Sequence, residues 1–347
     1  MMELPTLQRE IRLIERLKGL PSPEHFELAQ AAMPVANPGE VLVRNHYFLV
    51  SASLRAMISE GAEDVPGVPF PALNAGDVLR AEALGEVLAA PAGSNLSPGD
   101  WVTHFMGWRD YAAVPLAQCE RVGAPMPEPV GRLGYLGHGW TAYAALTRGV
   151  QIRPGDTVFV SSAAGAIGSM AGQIARKLGA KRVIGSTSTQ EKGRRLISEL
   201  GYDAAVTRCE GSALADQLLD ASQGGIDVFI DMVGGETLQA SLAAAREGAR
   251  FLSIGTLSGQ LAATGTGRVA PVELDGLQFL LKRITMRGYS ADDNPEAREE
   301  WLQRLPEWLS AGDITFPFTM IDGLERATEA LRDTAKGRYL GMVIVKL

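Results

Sequence analysis

Two rhythms of apolar and polar residues divide the chain. From about Leu4 to Gly131, short apolar runs are punctuated by Pro and Gly, and four of them read as strands: VLVRNHYF at 41–48, VLRAEALGEVLAA at 78–90, DWVTHF at 100–105 and YAAVPL at 111–116. The SPGDWV stretch at 97–102 places a Pro-Gly reversal directly before a strand. Short strands separated by turns predict a compact β-barrel-like domain. From about Leu133 the period changes. TVFV at 157–160 is followed by Ile167, Met170, Ile174 and Leu178 at helical spacing, with a stop at Gly179. Strand and helix then alternate: RVIGS, QEKGRRLISELG, AAVT, ALADQLLDAS, IDVFIDMV, ETLQASLAAAR and ARFLSIG. ITMRGY and a helix over 296–310 follow. Serial βα alternation predicts a parallel sheet with right-handed crossovers. The closing GMVIVKL reads as one more strand with no partner in that series, and is expected to return to the first domain.

Composition narrows the class. A length of 347 residues favours two domains over one core. Apolar residues at 46% and charged residues at 21% are globular values. No apolar run approaches the roughly 18 residues a membrane helix needs, and the N-terminus has no secretory pattern, so a soluble cytoplasmic protein is expected. Two cysteines, Cys119 and Cys209, cannot build a disulfide framework or a four-cysteine zinc site. A net charge of −7 argues against a nucleic-acid binder, which needs a basic face.

The turn after TVFV carries the first chemistry. Ala163-Ala164-Gly165-Ala166-Ile167-Gly168 fits the dinucleotide fingerprint G-x-G-x-x-G with Ala in the first place. Gly165 would let backbone N–H groups approach a pyrophosphate at a helix N-terminus. Small residues there also serve tight packing alone, so the serial βα context gives the motif its weight. Where NAD sites place a carboxylate for the ribose hydroxyls, this chain has Gly185-Ser186-Thr187-Ser188-Thr189 and then Lys192, Arg194 and Arg195. Hydroxyls and an ammonium suit a 2′-phosphate, and NADP(H) is the expected cofactor. Lys192 is the candidate, whereas Arg194 and Arg195 read as a solvated helix face.

These residues sit among others that resemble one family. VLVRN (41–45), GWRDYA (107–112), LGHGWTAY (136–143), SAAGAIGS (162–169), GSTSTQEK (185–192), GIDVFIDMVGG (225–235), IGTLSG (254–259), RGY (287–289) and GRYLGMVIVK (337–346) recur across nearly the whole length. The chain is identified as a zinc-free member of the medium-chain dehydrogenase/reductase superfamily, similar to the NADPH-dependent alkenal/one, prostaglandin and curcumin double-bond reductases. The resemblance implies a GroES-like catalytic domain over 1–132 and 311–347, a doubly wound Rossmann domain over 133–310, a homodimer, and reduction of an α,β-unsaturated aldehyde or ketone.

Carried over residue by residue, it places the pyrophosphate turn at Ala164, Gly165, Ala166, Ile167 and Gly168. The phosphate end falls on Ser186, Thr187 and Lys192, and the nicotinamide surroundings on Thr141, Val233, Gly255, Thr256, Leu257, Gly288 and Tyr289. The chain also departs from the family. Ser51-Ala52-Ser53-Leu54-Arg55 replaces Asp-Pro-Tyr-Met-Arg, and Ser258-Gly259-Gln260 replaces the Ser-x-Tyr-Asn segment, so two active-site tyrosines are absent. Tyr339 stands for a terminal Asn, and Arg208 stands for a phosphate-contacting Tyr, a role a guanidinium can fill. Gly137-His138-Gly139 replaces the usual loop before the TAY sequence.

Zinc-dependent relatives carry a Cys where this chain has Phe48-Leu49, and Cys119, Cys209 and the four histidines give no ligand spacing. Hydride addition to an activated C=C asks less of the protein, because the enolate oxygen needs only hydrogen-bond donors. Gln260, His138, Tyr289 and Tyr47 are the candidates, although an aromatic residue in a strand more often serves a core. A quinone oxidoreductase of the same superfamily and a non-catalytic NADPH-binding module are the alternative readings.

Overall fold

The computed structural model describes residues 4–62, 71–207, 213–262 and 269–347. The N-terminal part holds β1 (Leu7–Leu13), β2 (Phe26–Ala32), β3 (Glu40–Val50), the one-turn helix α1 (Arg55–Ile58), β4 (Ala83–Ala89), β5 (Trp101–His104), β6 (Tyr111–Pro115) and β7 (Glu120–Arg121). β1 and β2 form an antiparallel pair of their own, while β3 carries β4 on one side and β6 along its first half. The rhythm of the sequence does not mark β1. Its inward positions include Gln8 and Glu10, both buried, and Gln8 spends its carbonyl oxygen on the backbone N–H of Tyr111 at 2.9 Å.

The second region begins with α2 (Gly139–Ala144) and continues through β8 (Thr157–Val160), α3 (Gly168–Lys177), β9 (Arg182–Thr187), α4 (Gln190–Leu200), β10 (Ala204–Thr207), α5 (Leu214–Ser222), β11 (Ile226–Asp231), α6 (Gly235–Ala244), β12 (Ala245–Ser253), α7 (Leu257–Gln260), α8 (Gly276–Leu281), β13 (Thr285–Gly288) and α9 (Glu296–Ser310). Its six strands are all parallel, in the order β10-β9-β8-β11-β12-β13. All four residues of β8 are buried, as expected of a strand covered by helices on both faces. On one face Phe159 and Phe229 stack at 5.0 Å, and Phe251 meets Phe229 edge-on at 5.3 Å. The helices close in on the other face because glycine permits it. A Cβ on Gly172 would stand 2.1 Å from the Tyr202 ring, whose hydroxyl bonds the Gly168 carbonyl at 2.6 Å.

After α9 the chain crosses back. β14 (Phe318–Asp322) and β15 (Met342–Lys346) flank α10 (Ala327–Ala335), and β15 pairs antiparallel with β3, Val343 opposite Val50 and Lys346 opposite Tyr47. The first sheet therefore reads β14-β15-β3-β4-β5-β7. The final strand does find its partner in the N-terminal part, and it draws α10 with it. No helix among the described residues is long and apolar enough to cross a membrane.

Candidate active site

A parallel sheet presents its strand C-termini along one edge, and a crevice opens where the strand order reverses. Here the reversal lies between β8 and β11. The β8 turn enters through Ser162 at φ +48°, and its amides are spent inward: Ala163 N on the Ser186 carbonyl at 2.9 Å and Ser162 N on the Ser186 hydroxyl at 3.1 Å. Ser186 thus ties the turn to β9. A Cβ on Gly168 would lie 2.4 Å from the Ser162 oxygen and 2.6 Å from the Ala163 Cα, both backbone. Gly165 lies on the half-exposed rim of the turn with Ala166 and Ile167, while Ala164 is buried.

Across the crevice, Asp231 closes the β11 turn. Its Oδ1 accepts the Ser161 hydroxyl at 3.1 Å and the amides of Val233 and Gly234 at 2.9 Å each. Burial raises the Asp231 pKa, and these three bonds oppose the shift. The next turn is fastened to this one, with Leu257 N on the Met232 oxygen and Ser258 N on the Val233 oxygen, each at 2.9 Å. Gly255 sits where a Cβ would be 3.3 Å from that Met232 oxygen, and Thr256 stands exposed at the N-cap of α7.

The end of β9 holds the positive charge. The Thr189 hydroxyl caps α4 by accepting Lys192 N at 3.3 Å. The Thr187 hydroxyl bonds the Thr189 carbonyl at 2.7 Å, which fixes the loop. Lys192 is only 9% exposed, and its ammonium reaches the Ser188 hydroxyl at 3.3 Å. Burial lowers its pKa. Arg194 is exposed and Arg195 is bonded to Glu199 at 2.6 Å, as a solvated face requires. Arg208 lies outside the described residues.

The C-terminal crossover covers this end. Gly341 N donates to the Ala164 carbonyl at 2.9 Å, and a Cβ on Gly337 would stand 3.6 Å from the Ser188 hydroxyl and 3.7 Å from the Lys192 nitrogen. Tyr339, between them, packs its ring against the core of the first sheet.

The four candidate donor residues are held separately. Tyr289 is buried, donates its amide to the Ser253 carbonyl, and donates its hydroxyl to Asn294 Oδ1 at 3.0 Å. Gly149 packs on its ring. His138 is the N-cap of α2, with Thr141 half-buried one turn on. Burial lowers the His138 pKa, against the pull of Asp292, so the ring is held neutral. Tyr47 is half-buried on β3 against the shared core. Gln260 ends α7, and its backbone oxygen accepts from Arg55 Nη1, which also bonds the Ala262 oxygen at 2.7 Å. Arg55 is 1% exposed and reaches from α1 to α7 across the two regions. The sequence pattern did not single out Arg55, Asp231 or Asn294. Asp231 alone left a local signal, an acid shortly before a Val-Gly-Gly turn. Among the described residues, no three His, Cys, Asp or Glu side chains group to hold a metal.

Family models match on both sides of the crevice: an N-terminal domain of oxidoreductase over residues 9–122 and a zinc-binding dehydrogenase over 166–309. A putative NADP-dependent oxidoreductase of Bacillus subtilis is 31% identical over 98% of each chain. The NADPH-dependent curcumin reductase of Escherichia coli is 29% identical over 96% of this chain and 95% of its own. A crystal structure of CurA from Vibrio vulnificus in complex with NADPH superposes with a TM-score of 0.85 at 29% identity, covering 97% of this chain and 98% of that one. The buried Lys192 and the glycine-cleared turn fit the same cofactor, and this chain is an oxidoreductase that binds NADP(H). It belongs to the medium-chain dehydrogenase/reductase family, in the zinc-free branch of enone and alkenal reductases.

Proposed function

We propose that the chain reduces the carbon–carbon double bond of α,β-unsaturated aldehydes and ketones. When bound, NADPH would supply a hydride to the β-carbon, and the electron pair of the double bond would move onto the carbonyl oxygen as an enolate. A proton then reaches the α-carbon. In this reading Lys192 and Ser188 hold the 2′-phosphate, and the Ala164–Gly168 turn faces the pyrophosphate. Ser186 and Thr187 fix the loop between them, and the 337–341 crossover shields that end from water. Thr141, Val233, Gly255, Thr256 and Leu257 surround the nicotinamide, with Tyr289 as its backing.

Among the candidate donors to the enolate oxygen, His138, Tyr47, Tyr289 and Gln260, the Gln260 carboxamide stands where the family has a tyrosine. It cannot deliver a proton at neutral pH, so the proton comes from water or a hydroxyl relay. Arg55 fixes the backbone of Gln260, and His138 and Tyr47 are the further candidate donors. The observation that carries this reading is the joint one. A half-hidden Lys192–Ser188 pair follows a glycine-cleared turn, in a chain aligned over nearly its full length with reductases named for curcumin and prostaglandin. Initial rates of NADPH oxidation over a panel of enals, enones and quinones test it. The expected result is a kcat/KM for enones at least ten times that for quinones, and the reverse order would contradict the proposal.

A further inference from the structure

Glu82 lies just before β4 and turns its carboxylate toward the second region. Its Oε2 accepts the backbone N–H of Gly137 at 2.8 Å, and its backbone oxygen takes Leu49 N at 2.9 Å. Arg298 on α9 stands 3.9 Å from Oε1 and shares itself with Glu120 on β7. Gly137 admits no side chain, because its φ is +89° and Met342 fills the space where a Cβ would be. The next residues are His138, Gly139 packed on the Trp301 ring, Trp140 and Thr141. One carboxylate from the first sheet thus grips the backbone at the entry to the helix that carries His138 and Thr141.

We propose that Glu82 is a positioning residue that latches the Leu136–Thr141 segment to the first sheet, so that turnover depends on its ionised carboxylate. A charge-assisted bond to Gly137 N–H is shorter and roughly twice as strong as a neutral one, so protonation loosens the latch without abolishing it. Burial pushes the Glu82 carboxyl up to about 7, against the opposing pull of the Gly137 amide and Arg298. The transition therefore falls in the working range. Arg298 is the charged group acting on it, Glu120 competes for Arg298, and His138 beside Gly137 is held neutral by burial with Asp292 opposing.

This inference rests on the reductase reading for its kinetic arm and on Trp140 for an independent one. In the wild type, kcat/KM for an enone is expected to rise several-fold through about pH 7. Glu82→Gln keeps an oxygen for Gly137 N–H and removes the charge, so it should stay flat at the low-pH wild-type level. Glu82→Ala, which leaves that N–H without an acceptor, should lower kcat about tenfold with KM for NADPH little changed. Intrinsic tryptophan fluorescence of the apoprotein should show an inflection near the same pH in the wild type and none in Glu82→Gln. An inflection that survives unchanged in Glu82→Gln would overturn the latch. An inflection lost in Glu82→Gln with no enone turnover in any variant would uphold the latch and overturn the reductase reading instead.

Discussion

At the phosphate end of the crevice, geometry is set by backbone. The β8 turn is bonded to Ser186, Gly168 admits no side chain, and Lys192 is placed by the first turn of α4, itself capped by Thr189. At the end proposed for hydride transfer, geometry is set by side chains: Arg55 reaching Gln260 and Ala262 and Glu82 holding Gly137 from distant segments, and Tyr289 tied to Asn294 nearby. The first arrangement is built mainly from turns and backbone amides. The second is assembled over long stretches of chain and can be rebuilt one residue at a time. A chain can therefore keep its cofactor while its two expected tyrosines become Ser53 and Gln260.

If that contrast holds, substitutions at the two ends should behave differently. The largest effect is expected from Lys192→Ala. A charge-assisted contact contributes about 1.5–3 kcal/mol, so NADPH affinity should fall about tenfold to a hundredfold while NADH affinity changes less than twofold. Fluorescence titration with both cofactors reads this directly, and an equal loss for both would place the 2′-phosphate elsewhere. A much smaller effect is expected from Tyr289→Phe. Its hydroxyl already serves Asn294, so the loss should be about 1 kcal/mol of stability, seen as a lower Tm, with turnover within threefold of wild type. Abolished turnover with normal NADPH binding would make Tyr289 a dedicated acid and remove the contrast at this position.

The same division governs what the sequence could reveal. The βα alternation, the fingerprint turn and Lys192 are short-range patterns, with each signal contained in one strand, turn and helix. β1 escaped because Gln8 and Glu10 occupy inward positions where an apolar residue would have marked the strand. β14 and α10 went unmarked beside a terminal strand whose return was foreseen. Arg55 and Glu82 act through partners that only the folded chain brings near, Gln260 being 205 residues from Arg55 and Gly137 55 residues from Glu82. No spacing rule reaches so far. Tyr339, placed near the cofactor by resemblance, lies on the crossover between Gly337 and Gly341 and packs against the core of the first sheet.

The most direct test of the central claim is the destination of the hydride. With NADPH deuterated at the transferable C4 position and a simple enone as acceptor, the saturated product should carry one deuterium on the carbon β to the carbonyl, with a solvent-derived hydrogen on the α-carbon. Deuterium on the carbonyl carbon of an unsaturated alcohol would mean that the chain reduces C=O instead, and would contradict the assignment of hydride transfer to the β-carbon.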